Sequence, residues 1–215
     1  MKVFINTIAF LVASQLFFSC TSSGQSQKSK DTEVSLKPAP GRAIAAFAEG
    51  CFWCPEHIFE GLAGVDSAVS GYAGGHKKNP TYEEVCAENT GHAETVLVYY
   101  NPQVISYKDL LDVFFTSHDP TTLNRQGPDV GPSYRSAIFY ANKSEEALAK
   151  EAVKKYTPSF KNPIVTEIAP LKTFYRAEEY HQNYTEYNPS SAYIQNVSIP
   201  RFEQFKRTCK LKFKQ

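Results

Sequence analysis

Apolar positions along this chain fall into two spacings, one extended and one helical. Residues 43–48 form a short apolar run of strand character, and residues 53–62 follow with a helix-like pattern closed by Gly61 and Gly64. Residues 65–73 read as a second strand, ending in the Gly74-Gly75 turn. The strongest strand is 92–100, where Val96, Val98 and Tyr100 share one face and Ala93, Leu97 and Tyr99 the other. Apolar character on both faces predicts a central strand covered from both sides. Thr81-Tyr82-Glu83-Glu84 has capping-box spacing and opens a brief helical turn. Ser106 with Asp109 caps a helix in which Tyr107, Leu110, Leu111 and Phe114 repeat at helical spacing. A further helix is expected to start at Ser144-Glu145-Glu146 and run to Tyr156, with strands at 135–140 and 164–168. Alternating strands and helices around one core predict a two-layer α/β or α+β domain.

Between residues 119 and 134 the periodicity stops. Pro120, Gly127, Pro128, Gly131 and Pro132 pin this irregular backbone. So long an irregular stretch inside a compact domain usually lines a site.

Both ends depart from the domain pattern. Lys2 and the apolar stretch from Val3 to Phe18, ending at Ser19-Cys20, read as a bacterial export signal over residues 1–19. The small residue before Cys20 resembles a lipoprotein signal, which predicts lipidation of Cys20 and anchoring in the cell envelope on the periplasmic side. Residues 20–41, rich in serine and mixed charge with Pro38 and Pro40, cannot bury a core and are expected to form a flexible tether. That leaves residues 42–200 as the catalytic domain and 201–215 as a basic tail. Arg201, Lys206, Arg207, Lys210, Lys212 and Lys214 in that tail read as a solvated helix end.

Charge narrows the function classes. The 215 residues carry 23 Lys+Arg against 22 Asp+Glu, and Lys2 is the one charge in the first nineteen, so the mature chain would be formally neutral. A nucleic-acid binder normally has a basic surplus, which argues against that class. The cysteines are 20, 51, 54, 86 and 209. Structural disulfides must be weighed in an exported chain, but a domain of this size folds without them, and such frameworks seldom use Cys-x-x-Cys. Cys51 and Cys54 are therefore assigned to chemistry.

Gly50-Cys51-Phe52-Trp53-Cys54-Pro55 places these two thiols where a strand gives way to a helix. The unpaired N–H groups and positive dipole end of that helix favour thiolate, and Pro55 suits its first turn. Three residues apart on a helix, the sulfurs are within disulfide range. Glu94 lies near the start of the central strand. If isolated and buried there it would hold its proton above the usual carboxylate range; a pairing with Lys or Arg, or a place just outside the sheet, fits the pattern as well. A protonated Glu beside a thiolate would set a general acid next to a nucleophile.

Five blocks occur in order: Gly50-Cys51-Phe52-Trp53-Cys54, Gly71-Tyr72-Ala73-Gly74-Gly75, Pro80 to Cys86, Gly91-His92-Ala93-Glu94, and His118 to Gly131. Together they closely resemble the A-type peptide-methionine sulfoxide reductases, over about residues 44–199. The resemblance implies a two-layer α+β sandwich with a mixed sheet, a ferredoxin-like core with added elements. It implies that Cys51 attacks the sulfur of methionine sulfoxide, in its S epimer, free or in oxidised proteins, and that Glu94 supplies the proton the departing oxygen needs. Tyr82 and Tyr134 would hydrogen-bond that oxygen. Asp129 would order the polar side of the pocket, while Phe52 and Trp53 wall in the substrate methyl group. Cys51 is left as a sulfenic acid, Cys54 condenses with it to a disulfide, and an external thioredoxin-like dithiol reduces that, with no metal or other cofactor. The enzyme is expected to be a monomer.

A free thiol is only about 3 % ionised at neutral pH, and a helix end brings Cys51 to roughly neutrality at best. An ionised Glu94 pushes the other way, so the two should titrate as a pair, with thiolate and protonated Glu94 the competent state. Cys86 reads as a small buried apolar residue, and Cys209, in a tail without glycine, as a poor second resolving thiol. His181 and the tyrosines other than 82 and 134 read as structural. Two rivals stay open on the bare residues: a zinc module built from Cys51, Cys54, His57, Cys86 and His92, and a thioredoxin-like disulfide oxidoreductase, which would leave Tyr82, Glu94 and Asp129 without purpose.

Overall fold

The computed structural model describes residues 32–214. The export signal, Cys20 and the first part of the tether lie outside the described residues. The described residues form the strands β1 (Ala43–Glu49), β2 (Val65–Ala73), β3 (Ala93–Tyr100), β4 (Arg125–Gln126), β5 (Asp129–Val130), β6 (Ser136–Tyr140), β7 (Glu167–Pro170) and β8 (Phe174–Arg176). The helices are α1 (Trp53–Glu60), α2 (Tyr82–Cys86), α3 (Tyr107–Ser117), α4 (Lys143–Tyr156), α5 (Tyr184–Tyr187) and α6 (Ile199–Thr208). Among the described residues no helix is long and apolar enough to cross a membrane.

Six strands make one mixed sheet in the order β7-β6-β1-β3-β2-β8, antiparallel throughout except for β6 with β7. β1-α1-β2 leaves a gap that β3 fills, and β3-α3-β6 returns to the far side of β1. Two interleaved βαβ units of this kind are the ferredoxin-like arrangement, here with β7, β8 and the β4-β5 hairpin added. Alternation along the strands separates the two faces. Phe47, Val96, Val98 and Ile138 point to the helices, against Ile58 and Phe59 of α1 and Leu110 and Phe114 of α3. Ile44, Ala46, Ala48, Leu97 and Phe139 point the other way, where Val34, Leu36 and Leu171 cover them. β3 is covered from both sides, as its pattern predicts, and Glu94 shares the helix face with Val96 and Val98.

Both expected capping boxes are formed, at Thr81/Glu84 and Ser106/Asp109. Four expectations change. α4 starts at Lys143, one residue before the expected Ser144, because the Asn142 side chain caps it by accepting the Glu145 N–H at 3.0 Å. The strand expected at 164–168 starts at Glu167, where parallel pairing with Ala137 of β6 sets the register. The tether ends early: Val34 N–H donates to the Phe174 carbonyl and Arg176 N–H to the Thr32 carbonyl, both at 2.9 Å, because Val34 and Leu36 close the open face of the sheet. No boundary falls at residue 200 either. α6 runs through it, Phe205 is buried, and Lys214 N–H donates to the Gly61 carbonyl at 2.8 Å, so the basic tail packs on the body.

Candidate active site

The turn from β1 into α1 carries the dithiol. Gly50 has φ +86°, a conformation that side chains rarely adopt, and a Cβ there would collide with Gln126. α1 then opens with Phe52 as its N-cap residue, so its first N–H groups have no helical partners. Phe52 N–H donates to Glu94 Oε2 at 3.0 Å. The Trp53 N–H donates to the Cys51 sulfur, and the Tyr193 hydroxyl lies against that sulfur. Cys51, Cys54 and Glu94 are all buried, and both thiols are free.

Burial pushes the Glu94 carboxyl up to about 8, against the pull of the Phe52 N–H and with a further push from Asp129 and Glu88. Among the described residues no Lys or Arg pairs with it, so the pairing alternative is not the one formed. Burial also drives the Cys51 thiol well above its usual range, with Glu94 and Cys54 adding to the effect. Burial thus shifts both groups toward their protonated forms. A helix end is worth at most about 2 kcal/mol, and desolvation of a thiol only 6 % exposed outweighs it.

Phenols line the mouth of the site. Tyr82 heads α2, its N–H donating to Glu178 Oε1 at 2.9 Å, while Glu178 Oε2 accepts from Tyr72 at the same distance. Tyr134 sits in a 3-10 turn, Pro132–Tyr134. Glu88 holds that turn by accepting from Ser133 N–H at 3.0 Å and Ser133 Oγ at 2.7 Å. Burial, with Glu94 close by, pushes both phenols up, so Tyr82 and Tyr134 stay donors at any physiological pH. Asp129, on β5, accepts the Tyr193 hydroxyl at 2.6 Å. Phe52 is fully buried against Tyr72 and His181. Trp53 stacks on Tyr184 with ring centroids 3.8 Å apart and meets Tyr193 edge-on. Its indole N–H donates to His181 Nδ1 at 3.2 Å.

All eight expected site residues of the described chain thus gather around one turn. Sequence reasoning missed His181, Tyr184 and Tyr193, which the fold brings to Trp53 and Cys51 from more than 120 positions away. A buried histidine far along the chain has no local signature, and the aromatic density of 180–193 was the one available signal. Cys86 is exposed rather than buried, because it ends a short helix at the rim, with the Tyr82 hydroxyl as its partner. Cys209 closes α6 in a separate hollow with Asp112, Thr116 and Tyr156. The zinc reading fails on placement: His57 packs on Phe202, and both His92 ring nitrogens bond backbone groups. Among the described residues no group of three or more His, Cys, Asp or Glu could hold a metal ion.

A buried Cys-x-x-Cys facing a protonated carboxyl and three phenols, on a ferredoxin-like α+β scaffold, defines a thiol-dependent oxidoreductase. Residues 43–213 match the family model described as peptide methionine sulfoxide reductase. The chain is 49 % identical over 174 residues to the peptide methionine sulfoxide reductase MsrA 1 of Rhodopirellula baltica, covering 81 % of this chain and 91 % of the relative. Its fold matches Mxr1 of Saccharomyces cerevisiae in reduced form with a TM-score of 0.69 and 39 % identity, over 72 % of this chain and 91 % of that one. Mxr1 in complex with Trx2 matches at a TM-score of 0.52 and 30 % identity, over 70 % and 94 % of the two chains. This chain belongs to the peptide methionine sulfoxide reductase family.

Proposed function

We propose that this chain reduces the S epimer of methionine sulfoxide, free or within oxidised proteins, to methionine, and so repairs oxidative damage. The observation that carries the reading is Glu94: a carboxyl kept protonated by burial, fixed by the Phe52 N–H, and next to the Cys51 thiol. Cys51, having released its thiol proton to solvent as the substrate binds, attacks the sulfoxide sulfur as thiolate while Glu94 gives its proton to the oxygen. Tyr82 and Tyr134 donate to that oxygen as charge builds on it. Phe52 and Trp53 receive the substrate methyl group, and Asp129 holds Tyr193 in its orientation on the Cys51 sulfur. The products are methionine, a Cys51 sulfenic acid and an ionised Glu94. Cys54 then displaces hydroxide from the Cys51 sulfur to form the disulfide, its own proton passing through Glu94 to complete a water molecule.

A thioredoxin-like dithiol supplies the two electrons that reopen the disulfide, a reading supported by the solved complex of Mxr1 with Trx2. Export and lipid anchoring through Cys20 are proposed from residues 1–20 alone. Labelling of the wild type but not of Cys20→Ser with a fatty-acid probe would support the anchor, and equal labelling would refute it. For the chemistry the test is Glu94→Gln, which keeps hydrogen bonding but has no proton to give. Turnover of a resolved S-sulfoxide should fall roughly 10²–10⁴-fold. Near-native turnover would refute the general-acid role.

A further inference from the structure

The segment that brings Tyr193 into the site is an irregular helix. Ile194–Ser198 form a π-helical turn, in which the Ile199 N–H donates to the Ile194 carbonyl five residues back. Pro200 gives the reason: without an N–H it cannot continue the α-helical ladder, and the turn before it widens. α6 then continues with Ser198, Arg201, Phe202 and Phe205 on one face. Phe205 enters the core. Arg201 donates to the Ser117 carbonyl at 2.6 Å, to the Glu49 carbonyl at 3.0 Å and to Glu49 Oε2 at 2.8 Å. Those three bonds tie α6 to the ends of β1 and α3, and with it the position of Ser198.

Ser198 Oγ lies 3.1 Å from Cys54 Sγ. The serine is 1 % exposed and the cysteine 2 %. Among the described residues this thiol is the one side-chain hydrogen-bond partner of the Ser198 hydroxyl. A hydroxyl paired with a thiol forms a weak bond, but the same hydroxyl donating to a thiolate forms a charge-assisted one. Cys54 must pass through that anion once in every cycle, in a pocket closed to water.

We propose that Ser198 is a positioning residue for the resolving step. Its O–H donates to the Cys54 sulfur as that sulfur loses its proton, stabilising the thiolate and orienting it toward the Cys51 sulfenic acid. In the step itself the Cys51–Cys54 sulfur–sulfur bond forms and the Cys51 sulfur–oxygen bond breaks. The Cys54 sulfur is oxidised, the Cys51 sulfur is reduced, and hydroxide leaves with the proton given up by Cys54 as water. Ser198 is not consumed. The inference rests on the reading of Cys54 as the resolving thiol.

The test uses the full chain, a peptide methionine S-sulfoxide and no reductant, with the Cys51 sulfenic acid trapped by dimedone at successive times. In Ser198→Ala, methionine should form at the wild-type rate while the sulfenic acid persists roughly tenfold longer. Ser198→Thr, which keeps the hydroxyl, should recover most of the resolving rate. Wild-type or faster resolution in Ser198→Ala, equal slowing in Ser198→Thr, or an equal loss in methionine formation would each overturn the proposal. Cys54→Ser is the control that separates the two readings. If it keeps the sulfenic acid unresolved while Ser198→Ala resolves normally, the Ser198 proposal alone fails. If Cys54→Ser still resolves, the resolver reading fails and takes the proposal with it.

Discussion

Tyr193 shows how much one side chain does in this site. Its hydroxyl donates to Asp129 and lies in hydrogen-bonding contact with the Cys51 sulfur, and its ring meets Trp53 edge-on. Tyr193→Phe keeps the ring and removes both bonds, so the rate of the first turnover should drop about tenfold or more with little change in KM. The Cys51 thiol gives a prediction with a definite sign. Since burial, Glu94 and Cys54 all raise it, alkylation by iodoacetamide in the free enzyme should be slow at neutral pH and climb only above the ordinary thiol range. Glu94→Gln removes one of those charges, so alkylation should move to lower pH even as turnover collapses. Unchanged alkylation would place the ionised carboxylate too far from the sulfur to matter. At this scale the motif residues were legible because each sits within a few positions of a turn or strand start. His181, Tyr184 and Tyr193 were not, because tertiary folding and no local spacing brings them in.

Among the elements, α6 has the most to test. Glu49 lies fully buried at the end of β1, its carboxyl pushed up to about 7 by burial against the pull of Arg201 and Ser117. Arg201→Met strips that carboxyl of its cation, and loss of one partner of a buried pair costs about 3–5 kcal/mol. The melting temperature should fall steeply, and Glu49→Gln in the same chain should recover part of the loss. If the double variant is no more stable than Arg201→Met, the ion pair is not what holds the helix. The pattern of apolar positions was enough to place β1, β2, β3, α1 and α3, whose apolar runs and repeats show directly in the local sequence. It failed for α6 because a helix with Arg201 and Phe205 on its buried face and lysines elsewhere looks like a solvated tail. It also misjudged β7 and the edge at residues 32–34, where pairing with a neighbouring strand rather than local sequence sets the register.

For the whole molecule, three buried carboxyls on the helix side of the sheet have a common consequence. Glu49, Glu56 and Glu94 are all raised chiefly by burial, to about 7, about 8 and about 8. The folded chain then binds protons that the unfolded chain has released between the ordinary carboxylate range and about pH 8, so stability falls as pH rises through that window. Glu56 is the cleanest probe, since it lies outside the dithiol site; it accepts from Ser70 N–H at 3.3 Å, and the Ser70 hydroxyl and the Asn183 backbone also lower it. Glu56→Gln should flatten the decline in melting temperature from about pH 6 to about pH 9, by about 2–4 °C for each kcal/mol regained. A slope identical to the wild type would mean that Glu56 is solvated. The central claim is that Cys51 alone attacks the sulfoxide and Cys54 alone resolves the product, and one measurement reaches it directly: methionine formed per chain without reductant, with the mass of the protein read afterwards. Wild type should yield one methionine and a Cys51–Cys54 disulfide, Cys54→Ser one methionine and one added oxygen on Cys51, and Cys51→Ser none. Methionine from Cys51→Ser, or a disulfide in Cys54→Ser through Cys86 or Cys209, would contradict it.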